Sequence, residues 1–180
     1  MGAILGTCHM ASTVAVECET PAHIFWNLMK DFASLEKFVS VVKSVQVLDE
    51  GKPFQVGTRW IETRLYDGVE IVVHKTVTLL DEENFSWTVG AEFAPNSRDL
   101  RNAFSTGTIK VDPVTETSCR ITATWAFLGS NNPCSTLFFF CCRPCIERKS
   151  MQFFHAEIDE AVSEAERRYS KELQGNKTGQ

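Results

Sequence analysis

The sequence is short of the residues that mark fibrous, nucleic-acid-binding or membrane-spanning chains. Its 180 residues hold only 10 Gly and 6 Pro, which excludes collagen-like and proline-rich fibres. Basic residues are few: 18 Lys and Arg stand against 23 Asp and Glu, a net charge of −5. A continuous phosphate-binding face has too few cations to form, so no nucleic-acid partner is expected. No apolar run approaches the ~18 residues of a membrane span. The longest, Leu137 to Cys142, stops at Arg143. The start, Met1 to Cys8, lacks the basic region of a secretory signal. It also lacks the Ser or Thr at position 6 that N-myristoylation at Gly2 wants, having Gly6 instead. Tyrosine is scarce, 2 against 13 Phe.

Cysteine is plentiful, yet the pattern of a disulfide scaffold is missing. The count is 7, an odd number, and four of them crowd between Cys134 and Cys145 while Cys8, Cys18 and Cys119 lie apart. With 43% hydrophobic residues the chain can bury a core without covalent staples. A reducing, cytoplasmic setting is expected. The length suits one domain. The expected organisation is a flexible tail at 1–11, a single ligand-binding domain at 12–173 and a polar tail at 174–180.

What is present reads as α+β. Val14, Val16 and Cys18 alternate as a strand. Thr20-Pro21 then gives a helix start, with Thr20 as N-cap and Pro21 in the first turn. Ile24, Phe25, Leu28 and Met29 follow at helical spacing, and Asp31 opens a second short helix carrying Phe32, Leu35 and Phe38. Strand alternation resumes at Val45 and Val47. Two long strands come next, 58–65 and 69–80, around Tyr66-Asp67-Gly68. A three-residue loop there pairs Arg64 with Glu70 and Trp60 with His74, and it puts Ile61, Thr63, Ile71 and Val73 on one apolar face. A two-residue loop instead sets Glu62 and Arg64 beside Val73 and Ile71; the opposite-charge pair favours the first register. Further strands are expected at 85–91, 104–111 and 118–127. The 92–102 segment between the first two is a polar loop. A helix from about 133 to 173 has an apolar stripe through Phe154, Ile158, Ala161, Val162, Ala165 and Tyr169, with Gly175 ending it and Pro144 expected to kink or restart it.

Catalytic signatures are not found. His9, His23, His74 and His155 form no HExxH, Cys-His or Ser-His arrangement, and no glycine-rich phosphate loop is present. The pairs Glu82-Glu83 and Asp159-Glu160 fall in a turn and on a polar helix face. No metal and no cofactor are expected.

The order of elements resembles the helix-grip superfamily (SRPBCC) that contains START lipid-transfer domains, polyketide cyclases, coenzyme-Q-binding proteins and birch-pollen-allergen-like proteins. The residues that carry the resemblance are Thr20-Pro21-Ala22-His23-Ile24-Phe25-Trp26-Asn27-Leu28, similar to the family's xPAxxVWxxL opening. Asp31-Phe32 with Phe38, Val56-Gly57-Thr58-Arg59-Trp60, the turn at Val77 to Asp81 and the closing helix at Phe153 to Arg167 add to it. It covers most of residues 12–170. The glycine-rich loop of the plant pathogenesis-related branch is missing. The resemblance implies a curved antiparallel sheet wrapped around the last helix, with a cavity between them. It does not select a function, since the superfamily hosts carriers, receptors, enzymes and co-chaperones.

The expected cavity lining combines Ile61, Thr63, Ile71, Val73 and Lys75 with Ser105, Gly107, Ala123 and Trp125 from later strands, and Phe154 and Ile158 from the helix. Small residues among large ones leave room for an apolar ligand, while a solid core in which they complement Phe side chains is the competing reading. Lys75, the one charge on its face, reads as a ligand anchor or as an exposed lysine at a strand end. If a bulge inverts the faces, Trp60, Glu62, Arg64 and His74 line a polar pocket instead. In the Cys134 to Cys145 segment, Phe138, Phe139, Phe140, Cys141, Cys142 and Cys145 fit a membrane-facing, S-acylated patch or a cover over the cavity. Redox and zinc roles for Cys142-x-x-Cys145 have weaker support. The favoured function is binding, and carriage, of a small hydrophobic ligand. The alternatives are a cyclase/aromatase-type enzyme and a non-catalytic interaction module.

Overall fold

The structure, a computed structural model, describes the backbone of residues 10–94, 103–130 and 133–177, and the side chains of residues 11–94, 104–127, 148 and 151–175. Strand β1 (Met10–Cys18) leads into helix α1 (Ala22–Lys30) and a 3-10 turn at Phe32–Lys37. Strands β2 (Val42–Val47), β3 (Arg59–Tyr66), β4 (Val69–Asp81), β5 (Ser86–Phe93), β6 (Ala103–Pro113) and β7 (Cys119–Ser130) follow, then helix α2 (Pro133–Lys177). All pairings are antiparallel in the order β1-β7-β6-β5-β4-β3-β2, so each strand from β2 to β7 neighbours the next in sequence and β1 joins by pairing with β7. This is the helix-grip architecture expected from the sequence.

Period-two alternation builds the sheet's inner face. On β5, Trp87, Val89 and Ala91 are buried while their neighbours are partly exposed. On β7, Cys119, Ile121, Ala123 and Phe127 are buried. From the other side come Ile158, Ala161, Val162 and Ala165 of α2, together with Phe25, Trp26, Leu28 and Met29 of α1. The core is thus made where one apolar stripe of each helix meets one face of the sheet.

Several local expectations are corrected. Helix α1 starts one residue late, at Ala22, with Pro21 rather than Thr20 at the N-cap position and no side-chain cap. Thr20 is buried instead, its hydroxyl without a partner among the described residues. Helix α2 is one helix from Pro133 to Lys177, so it neither restarts at Pro144 nor ends at Gly175.

The most consequential correction is the β3–β4 hairpin. Its loop is two residues, Asp67-Gly68, both at positive φ (48° and 80°). That is the backbone of a type I′ turn, whose twist matches the flanking strands, and Asp-Gly is well suited to it. Tyr66 therefore pairs with Val69, Arg64 with Ile71, Glu62 with Val73 and Trp60 with Lys75. The expected Arg64–Glu70 pair does not form; Glu70 is bound at the surface by Lys43 at 2.6 Å. Turn geometry outweighs a surface charge pair worth ~0.2–1 kcal/mol. A bulge between Val77 and Leu79 then shifts the register again, leaving Leu79 at 66% exposure although its alternation with Val77 put it inside.

Candidate functional site

Between the sheet and α2 lies a cavity of about 380 Å³, a volume in the range of small-molecule sites. Most of its wall is apolar. Met29, Phe32 and Leu35 close one side, Val73 and Val89 line the sheet, and Phe153, Phe154 and Ile158 come from α2. Gly107 leaves the room in which Trp125 lies: a Cβ there would meet the Trp125 ring at 3.2 Å and Val89 at 3.3 Å. An aromatic group borders the cavity, with Phe32 stacked on Trp60 (centroids 3.9 Å, planes 9° apart) and Trp87 set against both at 5.7 and 6.1 Å.

The two-residue hairpin turns the even-numbered side chains of β3 into this cavity, and a knot of charge results. Glu62 is fully buried. Its carboxylate accepts hydrogen bonds from Trp60 Nε1 at 2.6 Å and Arg64 Nε at 2.5 Å, and pairs with Lys75 Nζ at 2.8 Å. Arg64 Nη1 reaches outward to Tyr66 Oη at 2.5 Å and to Glu157 of α2 at 2.7 Å, and the Tyr66 hydroxyl donates to the same Glu157 oxygen at 3.1 Å. Lys75 also lies 5.9 Å from the Trp60 ring centroid. The knot joins β3, β4 and α2 across the cavity head.

Burial and pairing oppose one another at each ionisable group. Burial raises the Glu62 carboxyl, but the Arg64 and Lys75 cations outweigh it and hold the group at about 2. Burial works against the Arg64 charge, and Glu157 and Glu62 overcome it, so the guanidinium stays firmly protonated. At Lys75, burial and the neighbouring Arg64 charge win over Glu62, and the amine titrates below its ordinary range. Burial raises the Tyr66 phenol, which remains neutral.

Of the residues expected from sequence to line the cavity, Ile71, Val73, Lys75, Gly107, Trp125, Phe154 and Ile158 do so. Ile61 and Thr63 alternate with Trp60, Glu62 and Arg64 and face the other side of β3, half-buried. Ser105 and Ala123 are buried on the inner face but away from the cavity wall. The residues named for an inverted face divide: Trp60, Glu62 and Arg64 enter the cavity, whereas His74 is exposed. Lys75 is not an exposed strand-end lysine, its side chain being 11% accessible. Tyr66 and Glu157 are additions. The expected three-residue loop includes Tyr66, and Glu157 lies one residue from the apolar stripe of α2.

The side chains of Phe138, Phe139, Phe140, Cys141, Cys142 and Cys145 lie outside the described residues, as does the segment at 95–102. Among the described residues no group of His, Cys, Asp and Glu is placed to hold a metal, and no helix is long and apolar enough to cross a membrane. Cys18 and Cys119 are free, buried and paired across β1 and β7.

A protein whose sheet and long helix enclose such a cavity is of the helix-grip class. A sequence profile described as polyketide cyclase / dehydrase and lipid transport matches residues 9–139, and the chain belongs to that family. Solved structures share its fold at low identity. The Zhui aromatase/cyclase from Streptomyces sp. R1128 is 15% identical with a TM-score of 0.66, over 89% of this chain and 95% of that one. Norcoclaurine synthase from Thalictrum flavum, solved with dopamine and hydroxybenzaldehyde, is 18% identical with a TM-score of 0.67, over 91% of each chain. A START superfamily protein from Mycobacterium smegmatis is 12% identical with a TM-score of 0.66, over 87% of this chain and 97% of that one. A search of curated protein sequences finds no match.

Proposed function

We propose that this protein binds, and carries, a small and mostly apolar molecule in the cavity between its sheet and α2. The observation that supports this most is the cavity itself: about 380 Å³, walled largely by aliphatic and aromatic side chains, with all its charge gathered in one knot. Removing an apolar body from water there gains ~25 cal/mol per Å² of buried surface. The knot holds fixed polar groups at one place, which orients a ligand without a cofactor. Native mass spectrometry of protein purified from cells tests this. The expected result is a bound small molecule that is released on denaturation and extracts into organic solvent. A bare polypeptide mass that also stays unchanged when apolar probes are added contradicts it.

A second reading, catalysis of the cyclase/aromatase type, draws on one observation. Lys75 is a buried amine with a lowered proton affinity, held 2.8 Å from a carboxylate beside an apolar cavity, and such groups serve as acids and bases. Turnover of a carbonyl-bearing substrate that is lost in Lys75→Met but kept in Lys43→Met is the result this reading requires.

A further inference from the structure

The ligand-binding reading leaves the chemistry of the ligand's polar end open, and two features of the cavity restrict it. The first is charge balance. Four charged side chains line the cavity, Glu62, Arg64, Lys75 and Glu157, two of each sign, and each is paired with at least one opposite partner. A charged ligand head would therefore enter a set whose charges already cancel. It would lose its hydration and leave one charge uncompensated in a low-dielectric site.

The second feature is the sense of the hydrogen-bonding capacity left over. Both oxygens of Glu62 are occupied, by Trp60 and Lys75 on one and Arg64 on the other. The Tyr66 hydroxyl both accepts, from Arg64, and donates, to Glu157. At the Lys75 end of the knot what remains is donors; the described bonds of Glu157, at the Arg64 end, use one of its two oxygens and leave the other as an acceptor. An ammonium carries three N–H groups, and the described partners of Lys75 are the carboxylate of Glu62 and the ring of Trp60. A buried donor without an acceptor is costly, and an oxygen brought in by a ligand relieves that cost.

Resting on the ligand-binding reading above, we infer that the cavity selects a neutral ligand whose polar end is a hydrogen-bond acceptor, a carbonyl or hydroxyl oxygen on an apolar body, placed at Lys75. It discriminates against the carboxylate and the amine of the same body. The carboxylate adds a third negative charge beside Glu62 and Glu157. The amine adds a positive charge and brings only donors to Lys75, itself a donor.

The test is displacement of the neutral fluorophore N-phenyl-1-naphthylamine by four probes of equal chain length: 2-decanone, 1-decanol, decanoate and decylamine, at pH 7. The ketone and the alcohol are expected to displace the dye at concentrations about tenfold or more below those of decanoate and decylamine, the scale of one uncompensated polar loss. Decanoate or decylamine binding as tightly as the ketone overturns the inference and leaves the ligand-binding reading intact, since displacement itself shows occupancy. No uptake of the dye and no displacement by any probe overturns both. The role of Lys75 is read in the double variant Lys75→Met with Glu62→Gln, which keeps the set neutral through the Arg64–Glu157 pair. Its thermal melt checks that it folds. In it the ketone is expected to weaken by about tenfold, the loss of a charge-assisted hydrogen bond. An unchanged ketone affinity in the folded double variant overturns the placement at Lys75.

Discussion

Glu62 is the residue on which the site turns. A carboxylate with no exposure is tolerable only because two cations and an indole N–H surround it. Glu62→Gln keeps the shape but leaves Arg64 and Lys75 short of a negative charge, and it is expected to destabilise the fold by about 3–5 kcal/mol in chemical denaturation. Acid should reveal the same dependence. The folded-state value, about 2, lies below the ordinary 4.5. Ionised Glu62 therefore contributes stability that is complete above about pH 4.5 and is lost as pH falls toward 2. The stability advantage of the wild type over Glu62→Gln should shrink across that interval. An advantage constant from pH 6 to 2.5 contradicts the pairing. At Gly107 the constraint is space. Gly107→Ala crowds Trp125 and Val89 and is expected to cost about 1–3 kcal/mol, measured by urea unfolding.

At the scale of elements, β3 and α2 are joined inside the cavity by Glu157, which holds Arg64 and Tyr66 at once. Glu157→Ala should raise amide hydrogen exchange in α2 around residues 153–161 while β3 and β4 stay protected, because the Glu62 pairs that join them remain. Equal loosening of all elements argues against this link.

The elements were also what the sequence showed most clearly. Alternation located β4 to β7 to within a few residues, and the helical spacing of Phe154, Ile158, Ala161 and Ala165 marked the buried stripe of α2. The facing of β3 was not legible from pattern. Of its two faces, Ile61-Thr63-Leu65 is the more apolar and reads as the inner one, yet it is Trp60-Glu62-Arg64 that enters the cavity, because paired charge is buried there. The loop decides the register, and there the left-handed backbone that Asp67-Gly68 adopts readily outweighs the surface charge pair of Arg64 with Glu70. One residue of register moved Glu62 and Arg64 from the surface to the centre of the site. Glu157 was hidden for another reason: a carboxylate beside an apolar stripe looks solvated until its partners on a distant strand are known.

For the whole molecule, the fold keeps an open volume where a domain of this size normally closes its core. Seven strands curve around α2, and small residues such as Gly107 and Ala161 line the volume while large aromatics border it. Filled interiors are the more stable solution, and a retained apolar cavity headed by a balanced charge knot is what supports the proposal of ligand binding. The measurement that bears most directly on this is titration of N-phenyl-1-naphthylamine into the wild type, into Ala161→Phe, whose new ring projects into the cavity, and into Leu79→Phe on the exposed face. The wild type and Leu79→Phe should bind one dye with equal affinity, and a folded Ala161→Phe should bind none. Equal binding by all three places the dye elsewhere and contradicts the account.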